Sequence, residues 1–90
     1  MGPEYNPEIH IATIESPCFR TYVIAVESLQ QACLAADKMI LDGIQVIEIC
    51  GGFNSSDSKE IVKHINGAVP VGHICFTDGE EIKIAALLDR

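Results

Sequence analysis

Basic residues are scarce in this chain of 90 residues: six lysines and arginines stand against thirteen aspartates and glutamates. The formal net charge is −7, and the few cations are scattered. Such a chain can neither neutralise phosphates nor steer polyanions, so neither nucleic acid nor an anionic membrane is an expected partner. Long apolar runs are missing too, none approaching the roughly 18 residues of a membrane span. The opening MGPEYNPE has no basic segment followed by an apolar one, so no secretory leader is expected there. Cys18, Cys33, Cys50 and Cys75 include no C-x-x-C pair, which removes zinc-ribbon and thioredoxin motifs. Four reduced thiols in a cytoplasmic protein are therefore expected. The glycines form neither G-x-G-x-x-G nor a P-loop ending in G-K-[ST], which excludes both nucleotide fingerprints.

Apolar residues are plentiful, at 48% of the chain. That is ample for a core and argues against disorder, and the length fits one small domain spanning residues 1–90, loose over 1–5. A chain this short has marginal stability without further support.

Asn6-Pro7-Glu8 has the form of a helix start, with Asn as cap, Pro in the first turn and Glu at the positive end of the dipole. It predicts a short helix to about Glu15, ended by Ser16-Pro17, although the Ile and Thr residues in between favour a strand. Arg20 to Glu27 is a β-branched and aromatic run that predicts a strand. Ser28 and Gln31 have capping-box spacing, and Leu29, Ala32, Cys33, Ala36 and Ile40 come after them at helical spacing until Asp42-Gly43. Ile44 to Cys50 is a nearly continuous apolar run of the kind covered on both faces. A second helix starts near Ser56 or Asp57, where Asp57 and Glu60 have capping-box spacing. Ile61, Val62 and Ile65 form its stripe, and Gly67 ends it. Pro70 to Phe76 reads as the last strand. The tail from Asp78 carries both hairpin and helix signals, and the longer apolar stripe favours a helix to Leu88.

This order predicts an α/β fold: a parallel three-stranded sheet, βαβαβ, with right-handed crossovers and flanking helices. So narrow a sheet has two open edges, which points to a homo-oligomer.

The run DGIQVIEICGGFNSSDSKEIVKHINGAVPVG resembles a family of small prokaryotic proteins of unknown function. Its marks are a strand ending in C-G-G-F, then a helix, then a V-P-V-G strand. NPEIHIATIESPCFRTYVIAVES is similar to the upstream part of that family, so the likeness runs from about Pro3 onward. The resemblance implies a fold and a site location, without an activity. The family pattern carries another apolar strand ahead of the segment matching Asn6, where only Met1 to Tyr5 stand here. The sheet is then a strand short, or something else covers that edge. The helix leading into GIQVIEI also resembles one βα unit of the sugar-acid aldolase barrels, a short and generic likeness.

In an open α/β sheet, ligands bind where a strand hands over to a helix. Here that place is Cys50 to Ser56. Gly51 and Gly52 permit a positive φ or a close approach, Asn54, Ser55 and Ser56 offer short polar groups, and Phe53 is either a lid or a packed aromatic. Glu48 is unexpected inside an apolar strand, where unpaired burial costs roughly several kcal/mol. It is either an ion-pair partner of Lys63, Arg20 or another subunit, or a general base. Cys50, near a helix start, is either a nucleophile or a packing residue. His73 is either an acid/base or a hydrogen-bonded structural residue. Strand parity puts Glu48 with Cys50 and His73 with Cys75, and the two sets meet only if those faces coincide. No ligand spacing supports a metal, and no cofactor can be named.

The expected function is binding of a small polar or anionic ligand at the Cys50–Ser56 turn. The alternatives are a thiol enzyme built on Cys50 with Glu48 or His73, and a non-catalytic interaction module.

Overall fold

The computed structural model describes residues 1–88. Its elements, in order, are β1 (Ile11–Glu15), β2 (Arg20–Ile24), α1 (Leu29–Leu41), β3 (Ile47–Ile49), α2 (Ser55–His64), β4 (Val71–His73) and α3 (Asp78–Leu88). The mixture of helices and strands is α/β. The expected three-stranded parallel sheet is not formed among the described residues. There are instead two sheets of two strands, an antiparallel β1–β2 hairpin and a parallel β3–β4 pair.

The hairpin replaces the helix expected before Glu15. Asn6 acts as a cap only for a single turn: its Oδ1 accepts from the Glu8 N–H, and its carbonyl accepts from Ile9 and His10. The β-branched run after His10 then continues extended. Ser16-Pro17 makes the hairpin bend, with Ser16 and Phe19 bonded through their backbones and the Ser16 hydroxyl accepting from Phe19 N–H. Glu15 and Arg20 face each other across the bend and form an exposed ion pair at 2.7 Å.

The α1 boundaries arise from local chemistry. Ser28 Oγ accepts from Gln31 N–H at 3.2 Å. The Gln31 side chain reaches one residue further back than a capping box requires, to Glu27 N–H. At the other end Gly43 lies at φ 91, and the N–H groups of Gly43 and Ile44 bond to the carbonyls of Ile40 and Met39. That 6→1 and 5→2 pair is a Schellman termination. In α2 the corresponding position is Asn66, at φ 54, and Gly67 after it is left-handed as well, at φ 66.

The buried core is small: Val26, Ala32, Ala36, Ile47, Ile49, Phe53, Ile61 and Ile65. It lies where β3, α1 and α2 meet. β1 is exposed throughout, and α3 buries none of its described residues. The tail is helical as its apolar stripe predicts. No described helix is long and apolar enough to cross a membrane.

With so few buried side chains, each carries a large share of the stability. Ile61, 1% exposed, is the largest side chain that is fully buried among the described residues. Ile61→Ala is expected to lower the unfolding free energy by about 3 kcal/mol in urea titrations. Leu41→Ala, at a position 87% exposed, is expected to change it by no more than about 0.5 kcal/mol. Equal losses would contradict this placement of the core.

Candidate functional site

The turn after β3 is built from its own residues. Ile47 and Ile49 are buried and Glu48 between them is exposed, so the strand ends on Cys50 with its thiol on the open side. Phe53 N–H donates to the Cys50 carbonyl at 3.1 Å, and the Phe53 ring is buried in the core. Asn54 then caps α2 with a complete reciprocal box. Its Oδ1 accepts from Asp57 N–H at 2.8 Å, while Asp57 Oδ2 accepts from Asn54 N–H at 3.0 Å. The box therefore pairs Asn54 with Asp57, one turn ahead of the expected Asp57–Glu60 pair. The Asp57 carboxylate consequently stands at the positive end of the helix, where an incoming anion would sit. Ser55 and Ser56 are exposed in the first turn.

Neither Gly51 nor Gly52 has the positive φ that is one expectation for them; the close approach is what they provide, and the chain itself makes it. A Cβ on Gly52 would stand 3.2 Å from the Met1 carbonyl oxygen and 3.4 Å from Cys50 Sγ. A Cβ on Gly51 would stand 3.1 Å from the Phe76 ring.

The face of Glu48 and Cys50 does not coincide with that of His73 and Cys75, so the two sets do not meet. β3 and β4 are neighbours, with Glu48 opposite Gly72 and Ile49 opposite His73. Paired residues of adjacent strands share a face, so His73 lies with Ile49 and away from Glu48 and Cys50. His73 Nε2 is 2.7 Å from the Phe53 carbonyl oxygen, which ties it to the turn backbone. Among the described residues Glu48 has no ion-pair partner: Arg20 is committed to Glu15. Glu48 stays at the surface, so its burial cost does not arise. No three described His, Cys, Asp or Glu side chains converge as a metal site would require.

Cys50 has the most altered surroundings. The Met1 ammonium donates to its Sγ at 3.0 Å. Partial burial pushes the thiol up, but the bonds from the Met1 ammonium and Gly52 N–H outweigh it and bring the thiol below its ordinary value. Cys33 moves the other way: burial, then Asp37 and Glu60, push it up.

Beside the turn, rather than at it, lies a groove of about 610 Å³. One wall is β2 and the other is Val46 to Cys50. The floor is the α1 face carrying Ala32, Ala35, Ala36 and Met39. Glu48, Cys50 and Phe53 also line it, so part of the expected site belongs to the groove. Tyr22, Ile24, Ala35 and Met39 carry no functional reading in the sequence. The signal that marks them is three alanines on one helix flank, which leave depth where a wide side chain would fill it.

The backbone explains why this groove is open. Ala25 N–H bonds to His10, and the Phe19 carbonyl accepts from Ser16, so the odd-numbered residues of this stretch face β1. Tyr22, Ile24 and Val26 therefore point their backbone groups the other way, into the groove. Ile47 N–H bonds to Pro70, and the Ile49 carbonyl accepts from Ile74, so Glu48 likewise points away from β4.

A family model for a family of unknown function (DUF6506) matches residues 1–89. The chain belongs to that family. No curated protein matches the chain. No solved structure matches it either. Membership of DUF6506 agrees with the resemblance to an uncharacterised family and supplies no activity.

The thiol surroundings have a direct consequence. Alkylation by iodoacetamide depends on thiolate, so Cys50 is expected to react at lower pH than Cys33, with Cys33 the slowest of the four. Acetylating the Met1 amine removes its positive charge and should slow Cys50 at neutral pH while leaving Cys33 unchanged. Peptide mapping of the labelled protein reads both. A common pH profile for the two thiols would contradict the assignment.

Proposed function

We propose that this protein is a non-catalytic binding module whose working surface is the apolar groove between β2 and β3. The observation that carries it is a cavity of about 610 Å³ flanked on two sides by strands and floored by small side chains. Its size is that of ordinary ligand sites, which hold their occupants chiefly through apolar contact with few polar groups. The polar residues here are Glu48 and Cys50 on one wall and Arg20, Thr21 and Tyr22 on the other.

Binding of a small anion at the Cys50–Ser56 turn has weaker support. The Asp57 carboxylate already occupies the helix start, and Met1 already occupies the approach opened by Gly52. A thiol enzyme would need a base engaged with Cys50; His73 lies on the other face, and the thiol is bonded by the Met1 ammonium rather than by Glu48, which shares its face. Gly51 to Ser56 then serve to bend the chain tightly after β3, so that Phe53 can plug the core below.

Nile red, a neutral apolar fluorophore, is expected to bind with a saturable rise in emission. Ala35→Phe fills the floor and should weaken that binding by about tenfold or more. Unchanged circular dichroism shows that the variant still folds, and Ala35→Leu is the milder form should it not. Undiminished Nile red binding by the folded variants would remove the groove as the working surface.

A further inference from the structure

With the groove as the working surface, we infer that its occupant is an extended polypeptide strand of another protein, apolar at alternate positions and flanked by basic residues. Three observations choose this occupant over a compact small molecule.

The first is the pattern of backbone groups. On one wall the N–H and C=O groups of Tyr22 and Ile24 face the groove; on the other those of Glu48 do. A flat or globular ligand leaves such rows unmatched, and only an extended chain presents donors and acceptors at the same repeat on both of its edges. The walls belong to two separate sheets. One added strand would join them into a single sheet.

The second is the width. At the end of the groove the chain's own first residues touch both walls. Gly2 N–H donates to the Val26 carbonyl at 3.0 Å, and the adjacent Met1 amine lies 3.0 Å from Cys50 Sγ. Val26 lies just past β2 and Cys50 just past β3. The first two residues thus touch both walls, on one side through the backbone of Val26 and on the other through the Cys50 thiol, and a single stretch of chain lies between them there. The groove continues in line with them, between Tyr22 and Ile24 on one side and Glu48 on the other.

The third is the floor. Ala32, Ala35 and Ala36 leave room for apolar side chains directed at α1 from alternate positions of a strand. Charge then selects among possible sources. The formal net charge of −7 favours a strand with basic flanks and disfavours a second, equally acidic copy. Each described strand is, moreover, already paired along one edge, whereas the groove calls for a strand free along both.

The probe is a fluorescein-labelled synthetic peptide of alternating valine and threonine, with lysines at both ends. Its control is the same peptide N-methylated at alternate residues, which keeps every side chain and removes the donors from one edge. The expected result is a saturable rise in anisotropy with the full chain, weakened by about tenfold or more by N-methylation and likewise by Ala35→Phe. Nile red is titrated in parallel. If Nile red binds and the peptide does not, the groove stands as the working surface and the strand assignment falls. If neither binds, both fall. Equal binding of the two peptides overturns the assignment, because side chains alone would then account for it. Sedimentation showing a dimer whose formation excludes the peptide also overturns it, in favour of a second copy.

Discussion

Backbone pairing is the constraint on which the rest of this structure depends. A strand buries its backbone polar groups at no loss only when both edges find partners or water. β2 is paired with β1 and β3 with β4, and neither is bonded to the other. α1 connects the two sheets and lies beneath the space between them. The small core results from this arrangement. The apolar side chains of β2 and α1 that would meet across a continuous sheet instead line a groove, and burial is concentrated where β3, α1 and α2 come together.

The turn after β3 shows how local satisfaction limits chemistry. A strand-to-helix turn offers unpaired N–H groups and a favourable dipole, which is why it attracts ligands in larger α/β folds. Here Asn54 and Asp57 satisfy one another, and the carboxylate of Asp57 supplies the negative charge that the dipole favours. The two glycines before it let Phe76 and Met1 come close. What remains reactive is the Cys50 thiol, held at the mouth of the groove beside the Met1 ammonium.

Much of the fold is legible in the sequence, and the exceptions have physical causes. α1 and α2 announce themselves by periodicity, and Ser28 and Gly43 by capping chemistry that is local in sequence. α3 is marked by its longer apolar stripe. The first hairpin is masked because Asn6-Pro7-Glu8 is a true turn-starting signal, whereas the β-branched residues after His10 decide how the chain continues beyond a single turn. The apolar runs around β3 and β4 do indicate a parallel pair. That β2 stands apart from them is not legible, because strand adjacency is a long-range property that periodicity does not encode. The same limit applies to the site. Parity correctly puts Glu48 beside Cys50, but only the register, with Ile49 opposite His73, shows that the histidine is on the other face. Ala35 becomes noticeable only by asking what lies above the alanine flank of α1.

Amide hydrogen exchange resolved by residue in the free protein tests the open edges most directly. The arrangement predicts slow exchange at Val23, Ile47 and Ile49, whose N–H groups face a neighbouring strand. It predicts fast exchange at Tyr22, Ile24 and Glu48, whose N–H groups face the groove. Comparable protection at both sets in dilute, monomeric protein would mean that β2 and β3 are already joined, and would contradict the account.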